Sequence, residues 1–168
     1  MVKTIISRVF VNSALKIEQN DTTNQLTDSQ NALIQRVLAP KLTLEQKAMI
    51  AQLNDQARAD IPNKCRVIAS DAFAAEWHDQ KGLILDMISR YNAFDPGITL
   101  FEERDFGVVF RLNDGSWSNQ TPSRDWSQQS VYWLFEYSDP TYSRPSAAPW
   151  DASKSARSLL LLLPHEYI

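Results

Sequence analysis

The chain has 168 residues, 43% of them apolar, with 17 Lys and Arg against 20 Asp and Glu for a net charge of −3. That length suits one soluble domain, which buries about 68–70% of the surface of its unfolded chain and needs no disulfide or metal to hold a core. The longest apolar run, at 159–163, is five residues where a membrane helix needs about 20, so membrane-spanning, collagen-like, disulfide-scaffold and wholly disordered classes are excluded.

Residues 1–12 hold Val2, Ile5, Ile6, Val9, Phe10 and Val11, a β-branched cluster that fits an edge strand and an amphipathic lead-in equally. Residues 18–25 contain no apolar side chain to bury and read as a solvated linker. Residues 1–25 are therefore expected to form an extension or edge segment, and 26–168 a single domain. Thr27 with Gln30 forms a capping box before Leu33, Ile34, Val37 and Leu38, and Pro40 stops that helix. Thr43 with Gln46 repeats the device, and Leu44, Ala48, Met49, Ala51, Leu53 and Ala57 carry a second helix to about Asp60, before Pro62.

Cys65, Val67 and Ile68 suggest a short buried strand, and Ser70 with Asp71 caps a helical turn bearing Phe73 and Trp77. Another helix is expected from near Asp79, its stripe being Leu83, Ile84, Met87, Ile88 and Tyr91, until Asp95-Pro96-Gly97 ends it. The period then changes to two. Phe106, Val108 and Phe110 share one side of a strand, Asn113-Asp114-Gly115 supplies a tight hairpin, and a polar, serine-rich loop runs from Trp117 to Gln129. Residues 131–137 carry the strongest strand signal, and 158–163, after Pro140, Pro145 and Pro149, read as a strand buried on both sides. The expectation is an α+β fold, with N-terminal helices packed on a C-terminal antiparallel sheet of three to five strands.

Several of these segments resemble a known family: Leu53-Asn54-Asp55 with Arg58, Tyr91-Asn92-Ala93-Phe94, Glu103-Arg104-Asp105-Phe106-Gly107, Trp133 with Tyr137 and Asp139, and Arg157 through Glu166-Tyr167. In order and spacing they resemble uncharacterised domain family 3768, over roughly residues 50–168. The chain departs from the family at Arg104, where His is commoner, and in its aromatic strand, which more often reads Trp-Lys-Ile-Asp-Tyr-Tyr-Asp. The resemblance implies a small protein carried by bacterial plasmids, phages or integrated elements, with an accessory or host-antagonist role and no assigned activity.

Residue chemistry narrows the classes further. Four scattered glycines do not build a phosphate cradle, and His78, His165 and the single Cys65 do not make a zinc site. A lone thiol, with no basic leader before an apolar run, points to a reducing, cytoplasmic setting. Cys65 lies in an apolar pattern and reads as a small hydrophobe rather than a nucleophile. Asp105-Phe106-Gly107 lacks the other parts of a kinase and reads as a strand start, with Phe106 in the core and Gly107 allowing close packing. Asn54, Asp55 and Arg58 sit near a helix end and read as anchors, with Asp55 expected to hold a strand-side arginine such as Arg157. A ligand site there is the minority reading.

From Asp95 to Asp139 there are eight acidic residues against three basic ones. Trp117, Trp126 and Trp150 fall in expected loops, where indoles commonly mark binding hot spots. Together, Glu102, Glu103, Asp105, Asp114, Trp117, Trp126, Asp139 and Trp150 describe an acidic, tryptophan-bearing surface suited to a basic protein partner. The expected function is a non-catalytic, cofactor-free binding module that blocks the basic, nucleic-acid-binding site of a host defence protein such as a CRISPR or restriction effector. Clustered basic residues are lacking, so direct nucleic-acid binding is not expected. The alternative is a small hydrolase or nuclease holding a metal with Glu103, Asp105 and Asp139.

Overall fold

A computed structural model describes residues 42–94, 102–122 and 126–167, all within one unit, Lys41–Tyr167. The expectations for residues 1–41, and for the turn at Asp95-Pro96-Gly97, lie outside the described residues. Helix α1, Leu44–Ala59, opens on the expected capping box: the Thr43 hydroxyl accepts from the Gln46 amide, and the Gln46 side chain accepts from the Thr43 amide. Its inner side carries Ile50, Ala51, Asn54, Ala57 and Arg58. Pro62 stands in the first turn of a short helix α2, Ile61–Lys64, a position whose backbone N–H has no intrahelical partner to lose.

Strand β1, Arg66–Ala69, leads to Ser70, whose hydroxyl accepts from the Phe73 amide and starts α3, Asp71–Trp77. A 3₁₀ turn, His78–Gln80, joins α3 to α4, Lys81–Ser89. Ile84 and Ile88 are fully buried, whereas Leu83 of the expected stripe is 61% exposed.

The sheet adds β2, Phe106–Leu112; β3, Trp117–Ser118; β4, Trp126–Ser138; and β5, Ala156–Leu162, and among the described residues its order is β1-β5-β4-β2-β3. The β2–β4, β2–β3 and β4–β5 pairs are antiparallel as expected, but β1 runs parallel to β5, so the sheet is mixed. The short strand at Cys65 is also an edge rather than a buried strand, with Arg66 and Ile68 exposed. β5, expected to be buried on both sides, is sealed on its inner side, at Leu159 and Leu161, and only partly covered on its outer side, at Leu160 and Leu162, because the helices pack on one side of the sheet.

Between β2 and β3 the chain turns at Asn113-Asp114-Gly115, with Gly115 at φ +85°, the Leu112 amide donating to Ser116 and the Gly115 amide to Leu112. The serine-rich loop is shorter than expected, because β3 takes Trp117 and Ser118 and β4 begins at Trp126.

Helices cover one side of the sheet. Phe73, Trp77, Ile84 and Ile88 meet Val109, Val131, Trp133, Phe135, Leu159 and Leu161 in one core cluster. Gly107 faces Trp133 across the β2–β4 pair, and a Cβ there would lie 2.5 Å from the indole. The glycine therefore permits the close packing expected of it. Phe106, expected in the core, lies half-buried on the opposite side, edge-on to Tyr132, because the period of two gives the inner side to Gly107 and Val109.

Candidate functional site

Three polar residues lie buried beneath the helix-covered side of the sheet. Asn54 is fully buried and Arg58 and Arg157 are 4% and 5% exposed. The Asn54 amide nitrogen donates to the Glu103 carbonyl and to the Tyr137 hydroxyl, each at 2.8 Å. Its carbonyl accepts from Arg157 Nε at 2.7 Å. Arg157 also donates to the Pro149 carbonyl at 3.0 Å and to the Ser155 hydroxyl. Arg58, one turn after Asn54, donates to the Arg104 carbonyl and to Asp55, and its guanidinium rests 4.6 Å from the Phe94 ring centre.

Burial pushes both buried guanidinium groups below their ordinary pKa, although the Asp55 carboxylate opposes that shift at Arg58. The partner of Arg157 is Asn54, not Asp55 as expected; Asp55 pairs with Arg58 and Arg104. The network joins α1, the turn before β2, β4, β5 and the loop before β5, which is the chemistry of an anchor.

The expected acidic surface residues have different fates. Glu102 pairs with Lys47 at 2.7 Å, and this bond raises the Lys47 pKa. Glu103 contributes its backbone carbonyl to Asn54, and the Asp105 carbonyl accepts from the Phe135 amide. Asp114 is exposed and accepts from the Ser116 hydroxyl and amide inside its own turn, which lowers its pKa. Asp139 accepts from the Ser143 amide and hydroxyl, from Thr141 and from Arg144, and these bonds hold it far below the usual carboxylate range. No three His, Cys, Asp or Glu side chains gather to hold a metal among the described residues, so Glu103, Asp105 and Asp139 do not converge.

The tryptophans divide in the same way. Trp117 lies in β3 rather than in a loop and is 7% exposed. Its ring meets Trp77 edge-on at 5.2 Å, and its indole N–H donates to Gln80 at 2.6 Å. It belongs to the core, because a two-residue strand delivers it beneath α3 and the 3₁₀ turn. Trp126 begins β4 opposite Leu112, and its side chain lies outside the described residues.

Trp150, half-buried, lines an open groove of about 460 Å³ together with Met49, Gln52, Leu53 and Gln56 of α1 and with Asp151 and Ala152. Bonds from Ser153 and Lys154 pull the Asp151 carboxyl down to about 2, so it is ionised at neutral pH. The sequence reading missed the α1 side of this groove. Its signal is the spacing 49, 52, 53, 56, one helical stripe distinct from the buried one.

The thiol behaves as expected. Cys65 is half-buried and donates to the Ile61 carbonyl, and burial pushes it up to about 11, the reverse of what a nucleophile requires. Glu166 accepts from the Ser70 hydroxyl and the Leu163 amide, tying the last turn to the start of α3. None of the described helices is long and apolar enough to cross a membrane.

Comparison with curated proteins and with solved structures gives no match. The family model described as "Protein of unknown function (DUF3768)" matches residues 69–166, from the end of β1 to the last turn, and leaves the α1 anchor Asn54-Asp55 with Arg58 outside the matched span. Since that match covers more than half of its length, the chain belongs to the DUF3768 family.

Proposed function

We propose that the protein is a non-catalytic binding module that captures a basic partner at the α1 groove, and that it acts as a mobile-element inhibitor by occupying the nucleic-acid-binding site of a host defence protein. The observation that carries this reading is Trp150, half-buried beside the ionised Asp151 in the lining of an open groove that also includes Met49 and Leu53. An indole beside apolar side chains in an open groove is the composition of a binding hot spot. Glu45, exposed and one turn before Met49, extends the same stripe with negative charge. The cations of α1 lie elsewhere: Lys47 is held by Glu102, and Arg58 is buried.

This reading moves the docking surface from the β2–β4 region to α1 and the loop before β5. Trp117 is buried, and the Glu102, Asp114 and Asp139 carboxylates bond within the fold; Glu103 and Asp105 contribute backbone carbonyls, the Trp126 side chain lies outside the described residues, and Trp150 is the member of the expected set that lines the groove. Asp151 is paired with Lys154 at 3.0 Å, so the exposed Glu45, unpaired among the described residues, supplies the charge that steers a cationic partner, and the apolar lining retains it.

The test is capture from host cytoplasm on the immobilised full chain at low and high salt, followed by a nucleic-acid-binding assay on the captured protein. The reading expects a basic protein that is held at low salt, is released at high salt, and loses its nucleic-acid binding when the chain is present. A captured protein that is indifferent to salt, or that still binds nucleic acid with the chain bound, overturns it.

A further inference from the structure

The outer side of the sheet is apolar where a one-sided sheet normally turns polar residues to water. Tyr167 of the C-terminal turn Pro164–Tyr167 covers its Phe106–Tyr132 end, with ring centres 5.5 and 5.7 Å away, and leaves the β1–β5 end to solvent. Register places Ile68, Leu160 and Leu134 in one row across β1, β5 and β4, and Leu162 beside Tyr132 in the next. Ile68 is 37% exposed, Leu134, Leu160, Leu162 and Tyr132 are only partly covered, and none of these belongs to the core cluster.

The row on the other side of Leu160 reads Arg66, Ser158, Glu136. Arg66 and Glu136 are both exposed, and they stand two strand spacings apart, about 10 Å, with a small serine between them. The Arg66 guanidinium lies 6.0 Å from the Tyr142 ring centre.

This arrangement is complementary to itself. A two-fold axis running along β5 and lying between two facing sheets would set Arg66 of one copy over Glu136 of the other, and the reverse. It would also set Ile68 over Leu134 and Leu160 over Leu160, while Ser158, already 3% exposed in the single chain, lies beneath the Arg66–Glu136 pairs. Residue i meeting j while j meets i is the defining property of an isologous interface. We propose that the outer face of the sheet is a docking surface for a second copy of this chain, centred on Leu160 and keyed by reciprocal Arg66–Glu136 pairs. The interface uses the opposite side of the sheet from the helices, so it does not depend on the groove beside Trp150.

Sedimentation equilibrium of the full chain tests it. The parent chain should show twice its 19.2 kDa mass at high concentration. Arg66→Glu and Glu136→Arg should each weaken association at least about tenfold, because like charges then face one another. The double variant Arg66→Glu/Glu136→Arg should recover it. Both positions are exposed, and unchanged melting temperatures would show that the variants fold. A chain that stays monomeric throughout overturns the proposal, whether its own remaining residues or a different protein cover the face. A dimer indifferent to single reversal, or a double variant that does not recover, also overturns it.

Discussion

Asn54 uses two donor bonds and one acceptor bond to join α1 to the turn before β2, to β4 and to β5. Replacing it with Ala leaves the Arg157 guanidinium buried without its closest partner, and an uncompensated buried cation is costly. Asn54→Ala should destabilise the fold by about 3 kcal/mol in denaturant unfolding. Two glycines make a sharper comparison. At Gly107 an added methyl would meet the Trp133 ring at 2.5 Å, whereas at Gly82, in the first turn of α4, it meets nothing within 4 Å. Gly107→Ala should therefore cost about 2 kcal/mol by overpacking, and Gly82→Ala should stabilise by about 0.5 kcal/mol through its helix preference. Equal effects in thermal melts would contradict this packing.

Signals contained within a few residues were legible from sequence. The Thr43 capping box, the Ser70 cap, the Asn113-Asp114-Gly115 turn and the aromatic strand β4 all appear where local chemistry places them. What the sequence hid depends on distant partners. The parallel β1–β5 pair brings Ala69 beside Leu161, and no short-range pattern states which strand an isolated four-residue segment will join. Charge alone points Asp55 at an arginine such as Arg157, whereas the fold brings Arg157 to the Asn54 carboxamide, 103 residues away. Trp117 reads as an outward loop residue in the sequence because a two-residue strand has no periodicity, and its cover comes from Trp77 and Gln80. Its removal should act on the hairpin as a core mutation: Trp117→Ala should lose about 3 kcal/mol of stability. A melting temperature equal to that of the parent would return this indole to the surface.

For the molecule as a whole, carboxylates serve as loop fasteners. Asp139, Asp151 and Glu166 all titrate below their ordinary values because serine hydroxyls and backbone amides bond to the ionised forms. Lowered folded-state values mean that this stabilisation is complete above the unfolded values of 3.8 for the aspartates and 4.5 for Glu166, and is lost as pH falls through the folded ones, near 2 for Asp151. Melting temperature should hold steady above about pH 5 and decline progressively toward pH 2; a rise on acidification would contradict this account. Of the surface first expected to be acidic and aromatic, the parts nearest the sheet are used internally, and the groove between α1 and the loop before β5 is left open.

That groove is best probed at Met49, which is 42% exposed and can be cut back without opening the core. The measurement is retention of the basic partner by the Met49→Ala chain beside the parent, with melting temperatures taken on the same samples. Retention should weaken by about tenfold while the melting temperature stays within about a degree. Undiminished retention by a folded Met49→Ala chain would show that the partner docks elsewhere.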